Sequence, residues 1–391
     1  MSKLKDIFKS YIDMQNHFFS VKIAGKDAGI NLGVSYLEFD ANIWGEASIC
    51  VVRWKSGCYD SDGEFTFNDD FYKSQIGAKL EVSAGYLESD LKLIFSGFVF
   101  SFSFVAKGGT SFLEISGMDG KIWMMANSNT QFKGGTDQKF SKIVKDIQNK
   151  YSSKFSKSEI DIPNEPDSIY LGIHPRDETD FEYLRRIADI TGSFFYVSDG
   201  KFMFVPMKSK GTKTTIEPIG KIDDGNLIEE VSFTSNIVGI PKSVSVNFTS
   251  NEDYTQTNSS EVQSFSKIGS GDTADSLTSN LSDDNSINII SEYTNSADCA
   301  KFIANAAYMK KSIHFAKCKI VCKFLPDIKI GAPVEMSGFG DVIDNSYIVT
   351  SLNHKYDRMD FKTTIELSAD SFSQGAHDSF SGGISKFRSF F

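Results

Sequence analysis

The sequence predicts an α+β, mainly β protein with two similar small antiparallel β-barrels, an intervening α/β domain and an insertion in the second barrel. The first reason is composition, because 34 Phe against 8 Pro favour strands. The second is apolar–polar alternation in residues 91–104, which is the period of a strand with one buried face. The third is an eleven-residue pattern that recurs later in the chain, which favours the presence of one β unit in two copies.

Residues 1–17 are predicted to form an amphipathic helix. Leu4, Ile7, Phe8 and Tyr11 fall on one helical face, and lysines lie elsewhere. The helix either packs on its own domain or docks on a membrane surface or a partner. The segment has no continuous apolar core and no small-residue cleavage site, so we expect no secretory signal.

Residues 18–115 are predicted to form the first barrel, with a small sandwich as the alternative. Runs 46–54 and 79–86 have strand character, and turn-forming residues separate them. Within 91–104 the alternation changes phase at Gly97. This phase change predicts a β-bulge or a barrel corner at that glycine.

Residues 116–225 mix helix and strand patterns and are predicted to be the α/β domain. A helix is expected over 180–191, because Thr179 and Glu182 have the spacing of a capping box and Gly192 suits a C-terminal cap. Further predicted elements are a helix at 140–151 and a hairpin at 194–205.

The second barrel is predicted from residues 226–250 and 312–370, with 251–311 as its insertion. Residues 251–290 are mostly Ser, Thr, Asn, Asp and Gly, a composition too polar to build a core alone. A helix is expected to follow at about 296–311.

The repeated stretch indicates duplication. Residues 76–86 and 330–340 share Ile, Gly, Ala, Glu and Ser at the same offsets. We interpret each copy as a turn at Gly77 or Gly331 that leads into a strand. The two copies lie too far apart for a solenoid. Either one barrel occurs twice, or two strands of similar chemistry converged.

Charge and cysteine content exclude several classes of function. Lys and Arg total 41 against 51 Asp and Glu, a net charge of −10, so the chain lacks the basic surface of a sequence-independent nucleic-acid binder. No apolar run reaches the roughly 18 residues of a membrane span. Cys318 and Cys322 would share one strand face about 13 Å apart, beyond disulfide reach, and reduced thiols are expected. Since Cys-x-x-Cys and His-Glu-x-x-His are missing, no metal or cofactor is predicted.

We also expect no enzymatic activity. The sequence has no Gly-x-Ser-x-Gly elbow, Walker A loop or complete dinucleotide fingerprint. The densest polar cluster comprises His174, Arg176, Asp177, Glu178 and Asp180. An acid–base site is one interpretation, but acidic residues at a helix start are what capping and the helix dipole favour, so a structural role is predicted. His354 is likewise predicted to be a strand residue and not a ligand.

Three stretches resemble one protein family. They are IHPRDETDFEYLRRIA at 173–188 with GSFFY at 192–196, LIFSGFV at 93–99, and the segment 331–367 with its Tyr-x-Val strand, His354 and final Thr-containing strand. Together they are similar to the late control protein D family of phage tails and to the N-terminal half of VgrG spike proteins of type VI secretion. The resemblance implies a hub-type fold of paired barrels, in agreement with the repeat.

The resemblance also implies a function. Family members form homotrimers whose six barrels make a pseudo-six-fold ring, which joins the hexameric tail tube above to the trimeric central spike below. We therefore expect a structural baseplate hub of a contractile phage tail or tailocin, without a cofactor. Its partners would be the spike, the tail tube or a tube initiator, and baseplate wedge proteins, with no specific nucleic-acid binding. It would be made in the bacterial cytoplasm and located in the virion or tailocin baseplate.

Two alternatives remain open. One is a VgrG-like spike-hub component of a type VI or related contractile secretion system, and the other is a tail-associated cell-wall hydrolase. A VgrG continues into an OB-fold and a β-helical needle, whereas this sequence ends at Phe391. We expect from this difference a hub whose spike is a separate polypeptide.

The C-terminal tail, residues 371–391, is the candidate partner-docking segment. Phe380, Phe387, Phe390 and Phe391 lie on a polar chain without regular periodicity. Isolated aromatic anchors on such a chain suit a docking strap for the spike or a neighbouring subunit. A disordered end is the alternative.

Overall fold

A computed structural model of the chain describes residues 2–3, 17–28, 34–55, 75–87, 91–107, 110–127, 139–166, 178–207, 214–216, 227–241, 243–249, 256–260, 268–269, 273, 286–290, 296–357 and 360–371. These described residues form twenty strands in three sheets, with four α-helices. The mainly β, α+β class predicted from the sequence is confirmed.

The first β unit follows a two-residue strand and contains seven strands. The bounds are β1 (Ser2–Lys3), β2 (Phe18–Ile23), β3 (Lys26–Asp27), β4 (Val34–Asn42), β5 (Ile49–Lys55), β6 (Lys79–Gly85), β7 (Lys92–Lys107) and β8 (Thr110–Met118). Their order across the sheet is β4-β5-β8-β7-β6-β2-β3, and all neighbours are antiparallel. Alternate residues such as Leu37, Val52, Leu80 and Ile115 point into the core, as period-two alternation requires.

The middle of the chain is a small α/β domain. Its elements are α1 (Ile122–Ala126), α2 (Phe140–Lys150), a 3₁₀ turn (Ser152–Lys154), β9 (Lys157–Ile160), α3 (Asp180–Thr191), β10 (Ser193–Ser198) and β11 (Lys201–Pro206). The short strand β12 (Thr214–Ile216) follows along the chain and joins another sheet. The predicted helix at 180–191 is confirmed. Thr179 Oγ1 accepts a hydrogen bond from the Glu182 amide at 3.2 Å, and Gly192 ends the helix with φ +61°. The predicted hairpin is also confirmed, as β10 and β11.

The second β unit is interrupted by a separate subdomain. After β13 (Ile228–Ser235) come β14 (Ser243–Thr249), β15 (Gln256–Ser260), β16 (Ser286–Ile290) and α4 (Ala297–Ser312), and then β17 (Ala316–Lys323), β18 (Pro333–Met336), β19 (Ser346–Asp357) and β20 (Asp360–Ala369). The second unit has the order β13-β17-β20-β19-β18-β12-β1. In the subdomain, β15-β14-β16 form a three-stranded sheet, and Val244 and Val246 of β14 pack against Ala300 and Ile303 of α4.

Several sequence-based expectations need correction. Ser2–Lys3, expected to be helical, form a strand parallel to β12, and residues 4–16 lie outside the described residues. The strand β14, assigned to the second barrel, lies in the subdomain because α4 covers its apolar face. The strand β12, assigned to the α/β domain, pairs with β18 of the second unit. Short polar strands carry no signal for the sheet that they join.

The phase change at Gly97 predicts a β-bulge or a barrel corner, and the first of these alternatives is wrong for that residue. The register of β7 shifts on either side of it, near Ile94 against β6 and at Phe100 against β8. Gly97 pairs regularly with Leu80, and a Cβ there would overlap the carbonyl oxygen of Met118. The glycine is therefore needed for close backbone approach and not for the bulge itself.

The repeated stretch occupies the same position in both β units. Gly77 has φ +82° and Gly331 has φ +75°. The amide of each glycine donates to a strand carbonyl at 2.8 Å, Val99 in the first unit and Val349 in the second. The two turns then lead into β6 and β18. The duplicated turn and strand predicted from the sequence are confirmed.

The correspondence extends to five strands. The orders of the two sheets align β4 with β13, β5 with β17, β8 with β20, β7 with β19, and β6 with β18. A bulge follows Val99 in β7 and Val349 in β19, and another follows Val34 in β4 and Ile228 in β13. Because both bulges recur at matching positions, the register of one unit can be transferred to the other residue by residue.

Candidate assembly site

In the described part of the chain, one strand pair joins the two β units. Strand β4 of the first unit lies antiparallel to β19 of the second, with Asn42 opposite Ser351 and Tyr36 opposite Asp357. Beyond the strand, the amide of Ile43 donates to the carbonyl of Thr350 at 3.0 Å. One continuous sheet therefore passes through both units, and β19 covers the edge of β4.

A buried histidine lies in the middle of this junction. His354 on β19 is opposite Phe39 on β4, and the two rings are stacked with centroids 5.7 Å apart. Its Nδ1 lies 2.8 Å from Oγ1 of Thr363, which also accepts a hydrogen bond from the Leu325 amide at 2.9 Å. Burial, with a smaller contribution from the positive charge of Lys329, lowers the pKa of His354 to about 3. The side chain is thus a neutral core residue.

Among the described residues, the space beside His354 is small. The cavity beside it has a volume of about 20 Å³, on the order of one water molecule. Lys329 closes it by donating to the carbonyl of Leu93 at 2.9 Å and pairing with Asp199 at 2.9 Å. The prediction that His354 is a strand residue is confirmed.

A second buried polar group joins the first β unit to the α/β domain, and it is not among the candidate residues of the sequence analysis. Lys121 and Asp119 are both almost completely buried, with Nζ and Oδ2 3.7 Å apart. Lys121 Nζ donates to the carbonyl of Glu46 at 2.6 Å, and Asp119 accepts from the amide of Ser48 at 2.8 Å. Burial lowers the pKa of Lys121, and the adjacent Asp119 opposes that shift. Because Asp-Gly-Lys looks like an ordinary turn, only the fold reveals the pair.

Only part of the acidic cluster predicted from the sequence lies among the described residues. His174, Arg176 and Asp177 lie outside the described residues. Glu178 forms an ion pair with Arg186 of α3, and Asp180, the first residue of that helix, accepts from the Tyr151 hydroxyl at 2.6 Å. Both described members thus hold the start of α3 in place, which is the structural role predicted for them.

The remaining predicted features concern the C-terminal tail, the cysteines, metal binding and membrane spanning. The tail residues Phe380, Phe387, Phe390 and Phe391 lie outside the described residues. The four cysteines that the structure describes, Cys50, Cys299, Cys318 and Cys322, are buried and free. Among the described residues, no group of three or more His, Cys, Asp or Glu is arranged to hold a metal ion. Within the same part of the chain, no helix combines the length and apolarity needed to cross a bilayer.

Comparison with protein families gives a match over more than half of the sequence. The model described as the Alg8 N-terminal domain matches residues 59–357. The chain belongs to this family. A search of curated proteins found none with significant sequence similarity.

Solved structures show where else the fold of this Alg8 N-terminal domain family member occurs. A tail protein from Neisseria meningitidis MC58 superposes with a TM-score of 0.66 at 14% identity, covering 92% of this chain and 98% of that one. The 43 kDa tail protein of prophage MuSo2 from Shewanella oneidensis gives 0.63 at 11% identity, with 90% and 98% covered. A chain of the Francisella PdpA–VgrG complex gives 0.55 at 11% identity, with 91% of this chain and 53% of that chain covered. The chain therefore has a phage-tail-like fold. At these low sequence identities, the similarity establishes the fold and nothing further.

Proposed function

We propose that this chain is the structural hub of a contractile baseplate, a homotrimeric ring of six β units between a hexameric tail tube and a trimeric spike. The observation that carries the proposal is the duplicated β unit, in a fold shared over nearly the whole chain with two tail proteins, one of them from a prophage. A trimer of a duplicated unit presents six similar modules, and such a ring can match six-fold symmetry on one side and three-fold symmetry on the other. The motifs that resemble late control protein D support the same assignment.

The proposed partners follow from this position. The tube or its initiator would bind above the ring, the spike below it, and wedge proteins around it, in a virion or tailocin particle. The net charge of −10 agrees with a role that involves no specific nucleic-acid contact. Closure of each β unit into a barrel is part of the proposal.

The hub is proposed to be non-catalytic. The description of the Alg8 N-terminal domain family names no reaction, so this proposal depends on the surroundings of the polar side chains. His354 is buried in the core, Lys121 and Asp119 form a buried ion pair, and Glu178 is paired with Arg186. Purified full-length protein should leave the turbidity of a bacterial cell-wall suspension unchanged, and a steady clearing would refute a purely structural role.

A secretion-type hub is the second candidate. The similarity to a chain of the Francisella PdpA–VgrG complex favours it, although this chain spans about half of that one. Electron micrographs of the particle that contains this protein distinguish the two. A particle with a long sheathed tail supports the phage or tailocin hub, and a membrane-anchored secretion apparatus supports the alternative.

The tail is proposed as a docking strap through Phe380, Phe387, Phe390 and Phe391. We expect that deletion of 372–391 weakens binding of the spike polypeptide encoded in the same gene cluster, as measured by co-purification. Replacing the four phenylalanines by serine is the matched control, because it keeps the length of the tail. Unchanged co-purification of both variants would disprove the strap.

The proposed trimeric state of the ring is tested by measuring the molecular mass of the protein in solution. Multi-angle light scattering on the purified full chain over a concentration series should give three times the 43.4 kDa subunit mass. A mass that stays at one subunit throughout would refute the hub proposal.

A further inference from the structure

His314 lies where the first β unit, α3 and α4 meet, and its imidazole forms no hydrogen bond within the described part of the chain. Its Nδ1 atom is buried. Because a buried N–H without an acceptor is rare in native folds, the proton of the neutral ring lies on Nε2. His314 therefore offers an N–H donor at Nε2 to the two clefts that its side chain lines.

Contacts with the described chain hold this imidazole in place. Its centroid is 4.8 Å from that of the Trp44 ring, which in turn meets Phe194 edge to face at 5.7 Å. The Trp44 amide donates to Asn42 Oδ1 at 3.0 Å and so fixes the turn after β4. The fold thus positions the imidazole by itself, as is usual for the polar groups of binding sites.

The Trp44–His314 pair lines two clefts. One has a volume of about 260 Å³ and lies between the turn at Gly45 and the helices α3 and α4, with Arg185 in its wall. The other has a volume of about 300 Å³ and lies over β13, β17 and β20, with Lys317 in its wall. Volumes of this size are at the lower limit of small-molecule sites, so a compact ligand is indicated.

The electrostatic field at His314 is positive. Burial, and then the charges of Lys317, Lys311 and Lys310, lower its pKa to about 4. The imidazole is therefore neutral at pH 7. A negatively charged ligand at Nε2 would offset the repulsion among these lysines, whereas a cation would add to it.

Three cations near the pair are without a carboxylate. Lys310 forms an ion pair with Asp189 of α3, but no ion pair of the described chain includes Arg185, Lys311 or Lys317. Lysines in the last turn of α4 are what the helix dipole favours. Arg185 belongs to α3 and Lys317 to β17, so the dipole of α4 does not account for them. In a chain of net charge −10, such a local excess of positive charge indicates an anionic ligand.

The donors of the site favour a phosphate group over a carboxylate. Arginine, lysine and the imidazole N–H all donate hydrogen bonds and require acceptors. A phosphate monoester has a charge of about −1.5 to −2 at pH 7 and three strong acceptor oxygens, whereas a carboxylate has a single negative charge and two oxygens. Phosphate therefore matches three unpaired cations more closely. The ring of Trp44 also provides a surface for an aromatic group attached to the phosphate.

We propose that the clefts at the Trp44–His314 pair bind a phosphate group, which accepts a hydrogen bond from Nε2 of His314. The positive charges of Arg185, Lys311 and Lys317 balance the charge of the phosphate. The ligand is inorganic phosphate or a small phosphate monoester. This inference goes beyond the proposed hub function and does not depend on it, because every residue of the site belongs to one subunit.

Equilibrium dialysis of the purified full-length protein against radiolabelled inorganic phosphate tests the site. Sodium chloride at about 0.15 M screens charges that lie more than about 8 Å apart, so that only nearby cations contribute. We expect saturable binding of one phosphate per subunit. Lys317→Gln and Arg185→Gln should each weaken binding at least about fivefold, because each removes one nearby positive charge. Both side chains are exposed, so these substitutions leave the core intact.

Lys319→Gln is the matched control. Lys319 is exposed and lies two residues after Lys317 on the same strand face, but it is opposite Glu366, and its Nζ is 3.8 Å from Glu230. It is not among the charges that lower the pKa of His314. Its replacement should therefore change phosphate binding by less than about twofold. His314→Phe keeps a ring against that of the tryptophan but removes the N–H, and it should weaken binding while the three cations remain.

Competition by ribose phosphate and by adenosine monophosphate distinguishes the two sources of phosphate. Stronger competition by the adenosine ester supports a monoester whose aromatic group stacks on Trp44. If neither ester competes better than inorganic phosphate, the site is one for inorganic phosphate.

Two results would overturn the inference. One is the absence of saturable phosphate binding, including the case in which an oligothymidylate binds and phosphate does not, because this shows a diffuse attraction for polyanions. The other is equal weakening by Lys317→Gln and Lys319→Gln. Neither result affects the hub proposal, whose trimer is measured separately by light scattering.

Discussion

Replacing Gly331 by alanine should destabilise the protein much more than the same change at Gly77. Both glycines have positive φ, +75° and +82°, in the same duplicated turn. An L-residue in this conformation costs about 1–2 kcal/mol at either position. At Gly331 the new Cβ would also lie inside van der Waals contact of the Tyr196 hydroxyl and 2.7 Å from its Cζ, whereas at Gly77 the nearest atom is Trp123 Cη2 at 3.7 Å.

The difference in the free energy of unfolding between the two variants measures the cost of the steric clash with Tyr196. Overpacking of a buried site adds about 1–3 kcal/mol, so Gly331→Ala should lose about 2–5 kcal/mol and Gly77→Ala about 1–2 kcal/mol. The free energy of unfolding is measured by urea denaturation at fixed protein concentration, with tryptophan fluorescence as the signal. Because backbone strain is nearly equal at the two turns, it cancels in the comparison.

A second variant tests the cause. In Tyr196→Phe the hydroxyl is removed, so the loss caused by Gly331→Ala should become smaller in that background while the effect of Gly77→Ala stays the same. Equal losses for the two alanine variants would refute the argument, because they would show that the Tyr196 ring moves aside without cost.

Three further effects follow from the buried polar groups and the helix cap. The pKa of His354 is about 3 in the fold against about 6.5 in the unfolded chain, so the unfolded state binds the proton first and stability falls as pH drops from about 6.5, by up to about 1.4 kcal/mol per pH unit. His354→Gln should show a flatter pH profile of urea denaturation, and an unchanged slope would contradict this. Lys121→Met should lose about 3–5 kcal/mol because Asp119 stays buried without its cation, and adding Asp119→Asn should restore part of that loss; a double variant less stable than the single one would contradict the pairing. Thr179→Ala should lower the free energy of unfolding by about 1 kcal/mol through loss of the α3 cap, whereas Thr179→Ser should cost little; equal losses would exclude the cap.

The local features of the fold could be predicted because they depend on neighbouring residues. The limits of α3 follow from Thr179, Glu182 and Gly192, whose side chains and conformational freedom act within a few residues. The duplicated turn follows from Gly77 and Gly331, which lie in stretches that share Ile, Gly, Ala, Glu and Ser at the same offsets. The bulge near Gly97 was placed wrongly, because the requirement for glycine there comes from Met118, which is distant in sequence and close in space.

The sequence by itself determined the fold class, the ends of α3 and the presence of a repeated β unit, since composition, periodicity and capping are properties of short segments. Only the tertiary structure decided which strands share a sheet, that Lys121 and Asp119 form a buried pair, and that β4 meets β19 in one defined register. These contacts join residues as far apart as Glu38 and Lys355, and nothing in either segment alone specifies its partner.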